Sequence, residues 1–221
     1  MRVVCDFDGT ITRRDSLDYV LSRLAPPAWE AVEAAWLSGD ITAAQCMRQQ
    51  IAMIEASVDR LDSVLDEVEL DPTFAPFVDL CDARRIPLLV VSDGVDYFIR
   101  RILGRERLNY LPLVANRLVL DDHGAWSLEQ PWSQAPCTAA SGVCKCATLS
   151  TGPDGPVIYI GDGRSDFCAA GQADLVFAKG ALADHCRASG IAFQPFEAFD
   201  DVARALTPIL ARDADLTRER V

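Results

Sequence analysis

The sequence predicts an α/β fold, a doubly wound parallel sheet interrupted by an inserted helical bundle, and three observations carry that reading. Short apolar runs alternate with helical periodicity through most of the 221 residues, as in a parallel sheet covered by helices on both faces. Four runs, at 2–5, 87–91, 157–160 and 175–178, have the length and β-branched content of buried strands. Between the first two, residues 16–70 change character and read as helix. Half of all residues are hydrophobic, enough for one large domain or for a core carrying a smaller insertion.

The first run, Val3-Val4-Cys5, breaks at Asp6-Phe7-Asp8-Gly9-Thr10. Residues i and i+2 of an extended chain face the same way, so Asp6 and Asp8 can enter one site while Phe7 turns to the core. One carboxylate can then attack phosphorus and the other carry a proton. Alone, the segment reads equally as an acidic turn, since Asp-Gly is a common turn signal.

In the helical region Leu17, Val20, Leu21 and Leu24 share one face, and Val58, Leu61, Val64, Leu65 and Val68 another. Pro26-Pro27 and Ser38-Gly39-Asp40 punctuate it, and Trp29 and Trp36, seven apart, are placed in its core. The expected division is a core of residues 1–14 and 73–221 with an insertion at 15–72, joined by hinges near 12–16 and 69–73. Such an insertion is too long for a crossover and too apolar for a linker. It serves either as a cap that shuts water out of a site or as a dimerisation appendage.

The second run ends in Ser92-Asp93-Gly94, a hydroxyl and a glycine amide at a strand end. Residues 96–103 then read as an amphipathic helix, and 114–126 as short strands around the turn Asp121-Asp122-His123-Gly124. Lys145 follows, and the third run leads into Gly161-Asp162-Gly163-Arg164-Ser165-Asp166, a second pair of acids on a glycine-rich loop. The charged tail, 212–221, is expected to fray. Singly, Ser92 is as good a helix cap, Lys145 a solvated charge and Asp162 a turn former. Their occurrence in one order points to a single phosphoryl-transfer site. Attack by a carboxylate on a phosphate dianion needs an intervening cation, and Mg²⁺ suits hard oxygen ligands.

These four segments, over nearly the whole chain, resemble the motifs of the haloacid dehalogenase superfamily of phosphohydrolases, with Ser165 where many members carry asparagine. The resemblance implies a Rossmannoid core, a helical cap and an aspartyl phosphate formed on Asp6. Asp8 would protonate the leaving alkoxide and then deprotonate water. The Asp6 carboxylate, the Asp8 carbonyl and the Asp162 carboxylate would hold Mg²⁺, with Asp166 close behind. Ser92, Lys145 and the Gly94 amide would bind the phosphoryl oxygens.

Within the superfamily two groups compete. Phosphoserine phosphatases share the helical cap and Ala115-Asn116-Arg117-Leu118, but usually have glutamate where this chain has Asp15 and arginine where it has Gln50, with Arg48 a nearby substitute. The closer likeness is to the methionine-salvage phosphatases, which act on a hydroxy-keto-methylthiopentenyl phosphate, at residues 5–12, Ala25-Pro26-Pro27, Gly142-Val143-Cys144-Lys145 and residues 195–202. A catalytically silent, metal-binding regulatory module is the reading from another class.

The net charge of −12 argues against a nucleic-acid partner, because phosphate backbones recruit clustered Lys and Arg. The expected partner is a small phosphate ester. No apolar run reaches membrane-span length and Asp6 comes too early for a signal peptide, so a soluble, cytoplasmic protein is expected. Of the eight cysteines, Cys5, Cys81 and Cys168 sit in apolar segments and read as buried thiols. Cys137, Cys144 and Cys146 read as reduced thiols or as a zinc or redox cluster, although their spacing departs from the usual zinc pairings. His123 and His185 sit beside no motif and are placed on the surface.

Overall fold

Strand β1 (Arg2–Cys5) lies at the centre of the sheet, so both its faces are covered and its side chains can be apolar without alternation. The computed structural model describes residues 1–133 and 140–218, with side chains to residue 210. Cys137 therefore lies outside the described residues. On one side β1 pairs in parallel with β2 (Leu88–Val95), and on the other with β5 (Val157–Gly161). Outward from β2 come β3 (Leu113–Leu120) and the antiparallel β4 (Trp126–Glu129). Outward from β5 come β6 (Leu175–Ala178) and the two-residue β7 (Gln194–Pro195). The order β4-β3-β2-β1-β5-β6-β7 reverses direction at β1, which opens a crevice at the carboxyl ends of β1, β2 and β5.

The second strand is longer than the apolar run alone predicts, continuing from 91 through Val95. A register shift against β3 between Val91 and Val95 frees Ser92-Asp93-Gly94 from regular pairing and turns them to the crevice. The hairpin of β3 and β4 forms where expected: Asp121 accepts the amides of His123 and Ala125, closing the turn. It extends to Glu129 rather than stopping at 126. The sequence gives no hint of β7, which carries no apolar run.

Helices α1 (Ser16–Leu24), α2 (Trp29–Ser38), α3 (Ala43–Ile51) and α4 (Val58–Leu65) lie between β1 and β2, followed by α5 (Phe74–Ala83). Several of their ends are capped. Asp15 accepts the amides of Leu17 and Asp18, Thr42 and Gln45 form a capping box, and Gly39 closes α2 at φ 87°. The α1 stripe of Leu17, Val20, Leu21 and Leu24 is buried as read. On α4, Leu61, Val64 and Leu65 are buried, but Val58 in its first turn is exposed. The segments expected to join the insertion to the core run side by side: Arg13 donates to Glu69 at 3.0 Å and Asp71 to Ile11 at 2.8 Å.

After β2 comes α6 (Asp96–Gly104), whose Phe98, Ile99, Ile102 and Leu103 are buried. The remaining helices are α7 (Lys145–Ser150), α8 (Phe167–Ala170), α9 (Gly180–Ser189) and α10 (Phe199–Arg218). Phe199 at the head of α10 packs its ring 4.9 Å from Phe74 and 5.3 Å from Phe77, locking α10 onto α5. The tail expected to fray from 212 is helical through Arg218, since an amphipathic helix anchored at its start propagates cheaply. No helix of the described residues is long and apolar enough to cross a membrane.

Candidate active site

At the carboxyl ends of β1, β2 and β5 a cavity of about 540 Å³ is walled by Asp6, Asp8, Ser92, Gly94 and Asp162, and by residues of α1, α2 and α3. Asp6 follows β1 directly and is held there by its amide, which donates to Ile160 at 2.9 Å. The residue is 4% exposed, and its carboxylate accepts from the Lys145 ammonium at 2.6 Å. The same amine, at the first residue of α7, donates to Asp166 at 2.6 Å and to Ser165 at 2.9 Å. Lys145 is thus no solvated surface charge but a buried cation between two buried acids.

Asp166 is fully buried and accepts four donors: Lys145, the Tyr159 hydroxyl at 2.5 Å, and the amides of Asp162 and Gly163 at 3.0 Å each. It shapes the loop and aims the lysine. Tyr159→Phe removes one bond to a charged group, at an expected cost of about 1.5–3 kcal/mol, which a urea titration reads.

Burial, with Asp166 and Asp162 nearby, pushes the Asp6 carboxyl well above the usual carboxylate range against the pull of Lys145. Asp162 is pushed to about 6 by burial and by Asp166, against a 2.5 Å hydrogen bond from the Thr10 hydroxyl. Asp8 is raised to about 7 by burial and by Asp15, while the Ser16 amide pulls it down. One Asp8 oxygen accepts that amide at 2.8 Å and the other faces the Ser92 hydroxyl at 3.5 Å. The Gly94 amide is turned to the Ser92 oxygen at 2.9 Å, so Ser92 itself is the group the amide orients.

Two glycines are dictated by these acids. Gly9 has φ 75°, and a Cβ there would collide with the Asp162 carboxylate; a Cβ on Gly94 would collide with Asp8. Gly9→Ala is expected to cost about 1–3 kcal/mol and to displace Asp162, lowering both the melting temperature and turnover.

Asp6, Asp162 and Asp166 have carboxylate oxygens within 4.8 Å of one another. Three hard-oxygen acids facing one buried ammonium fit a divalent cation such as Mg²⁺. Since the Asp166 oxygens are taken by its four donors, Asp6 and Asp162 have oxygen left to offer.

The cap-side residues singled out in the sequence are not gathered into one recognition group. Arg48 turns away to hydrogen-bond Gln130. Gln50 is buried and donates to Glu33 at 2.9 Å. Asp15 lines the cavity while capping α1. Trp36, expected in the bundle core, lines the cavity instead, with the Arg164 guanidinium 5.7 Å from its ring centre. Cys168, expected buried, also lines it, and the His185 ring stacks on Phe167 at 3.9 Å. Sequence reasoning did not single out Thr10, Glu33, Tyr159 or Asp93. Asp93 accepts the Val143 amide at 3.0 Å and ties the loop before Lys145 to β2. Thr10 and Asp93 left a local signal, their places beside Asp8-Gly9 and between Ser92 and Gly94.

Fold and site together define a hydrolytic enzyme. The chain belongs to the haloacid dehalogenase-like hydrolases, whose family profile matches residues 3–171. It is 32% identical to a 2-hydroxy-3-keto-5-methylthiopentenyl-1-phosphate phosphatase of Brevibacillus brevis, over 93% of this chain and 94% of that one. It is also 32% identical to the phosphatase of the same description from Geobacillus kaustophilus, over 91% and 93%. Among solved structures it is similar to a substrate-bound phosphoserine phosphatase (18% identity, TM-score 0.63, 83% of this chain and 89% of that one). A phosphoserine phosphohydrolase-like protein from Francisella tularensis is similar too (17%, TM-score 0.66, 93% and 99%). The structural likeness speaks for the fold.

Proposed function

We propose that the chain hydrolyses a small phosphomonoester through a phosphoenzyme on Asp6. The observation that carries this reading is the buried Asp6 carboxylate at the cavity floor, bonded to Lys145 and flanked by Asp8 and Asp162. Asp6 attacks phosphorus as the ester oxygen departs, and Asp8 delivers the proton that oxygen needs. Asp8 then takes a proton from the water that cleaves the aspartyl phosphate. Lys145 and Ser92 hold the phosphoryl oxygens, and Asp166 with Tyr159 aims the lysine. Asp6, Asp162 and the Asp8 carbonyl would hold Mg²⁺, which when bound would neutralise charge for the approach of like charges. Residues 15–72 act as a cap on a core of 1–14 and 73–221, covering the cavity with α1, α2 and α3.

For the substrate we favour 2-hydroxy-3-keto-5-methylthiopentenyl-1-phosphate, the ester named for the relatives at 32% identity. The cavity supports it: Trp36, Met47 and Leu17 offer an apolar wall to a methylthio tail. Phosphoserine is the second reading, on the structural neighbours. Its carboxylate would find Arg48 engaged by Gln130 and Gln50 by Glu33, beside Asp15, Asp18 and Glu33.

Phosphate release from a panel containing both esters, with Mg²⁺ and with chelator, tests the reading. Turnover of the methylthio ester above phosphoserine, lost to chelator and restored by Mg²⁺, is the expected result; silence on every ester would leave only a regulatory module. In a single turnover, where only release of the leaving group is read, Asp8→Asn is expected to slow alkyl esters about 10²–10⁴-fold and p-nitrophenyl phosphate far less, because that leaving group departs without a proton. Equal losses on both would remove Asp8 from the acid role.

A further inference from the structure

Cys144 and Cys146 flank Lys145, and their sulfurs stand 3.3 Å apart. Within a helix, residues i and i+2 point roughly 200° apart around the axis. These two meet because Cys144 precedes α7 in extended backbone, at φ −80° and ψ 91°. Cys144 is buried and Cys146 half-buried, and no step of the proposed hydrolysis uses either.

We infer that Cys144 and Cys146 form a thiol pair that oxidises to a disulfide and displaces Lys145 from Asp6 and Asp166. The consequence for turnover rests on the role proposed for Lys145. A disulfide is about 2.05 Å long, so the sulfurs must close by more than an ångström, in a ring whose middle residue is the lysine. The Lys145 amine sits 2.6 Å from each of two carboxylates and 2.9 Å from Ser165, so a backbone shift near an ångström stretches all three bonds at once. The oxidant is a low-molecular-weight disulfide. The thiolate of Cys146, the more exposed, attacks one of its sulfurs, forming a mixed disulfide and releasing one thiol. Cys144 gives up its proton, attacks the Cys146 sulfur and expels the second thiol. The protein pair loses two electrons and the small disulfide gains them.

The full chain treated with oxidised glutathione is examined by intact mass, tryptic mapping and amine-reactive labelling. The expected result is the loss of two hydrogens and a Cys144–Cys146 link that holds the peptides together across the tryptic cut after Lys145. Labelling of Lys145 rises on oxidation. Turnover of p-nitrophenyl phosphate falls about 10²-fold, as for a misplacement near 1 Å, and returns with dithiothreitol. Cys144→Ser and Cys146→Ser keep full activity in reductant, and oxidised glutathione leaves that activity and their Lys145 labelling unchanged. A lasting mixed disulfide, a pairing with Cys137 or Cys168, or a linked protein with Lys145 still shielded would overturn the inference. A reduced enzyme silent on every ester would sink the hydrolase reading alone, because the link and the labelling are read without turnover.

Discussion

Asp6→Asn is expected to lower phosphate release from every ester by at least about 10³-fold, the scale on which enzymes lose a nucleophile, while leaving the fold intact. Asparagine matches aspartate in size and keeps an oxygen facing Lys145, so the surroundings of the buried Asp6 neither collapse nor overpack. What it lacks is the negative oxygen proposed to bond to phosphorus. Stability moves little, within about 1 kcal/mol, because the change also relieves the crowding of Asp6 by Asp166 and Asp162. Rate and melting curve measured on one preparation decide the matter: a variant retaining a tenth of wild-type turnover would take the nucleophile's role from this residue.

Lys145→Met separates a second effect that Asp6→Asn does not touch. Methionine fills the lysine's volume without its charge and leaves Asp6 and Asp166 buried with no cation between them. Removing one partner of a buried ion pair typically costs about 3–5 kcal/mol, so this variant should lose stability as well as activity. A urea titration gives the first number and phosphate release the second. If the variant is inactive yet as stable as wild type, the lysine serves phosphate alone and the triad with Asp6 and Asp166 is not structural. Burial pulls the lysine's proton affinity down, but Asp166 and Asp6 outweigh it and hold the amine above its ordinary value. The cation is therefore present throughout the neutral range.

The strands that carry the motifs were legible because each is a short, mostly apolar run that breaks at a small or acidic residue, Asp6, Ser92 or Gly161, a signal that is local in the chain. The neighbourhood of Asp6, Asp8, Ser92 and Asp162 follows from it: once the strands are parallel and adjacent, their carboxyl ends must converge. What local pattern does not encode is the direction of long side chains. Arg48 lies close in sequence to the position where a cap arginine was sought, yet its guanidinium meets Gln130 at the end of β4. Trp36 fits a helical stripe as well as Trp29 does, and only the packing of α2 against α3 decides that it faces the cavity. Tyr159 reads as one more core residue of a strand, and only the loop that follows the strand brings Asp166 to its hydroxyl.

The amide of Ser16, the first residue of α1, holds one oxygen of Asp8. Asp8, for which we propose the proton-donor role, is therefore aimed from α1 rather than from the strand it follows. Exchanging the four-helix block for that of another enzyme, as one would to graft a new specificity, transplants the sight along with the pocket wall. Chimeras joined after this amide should keep their proton relay, and those joined before it should inherit whatever alignment the donor brings.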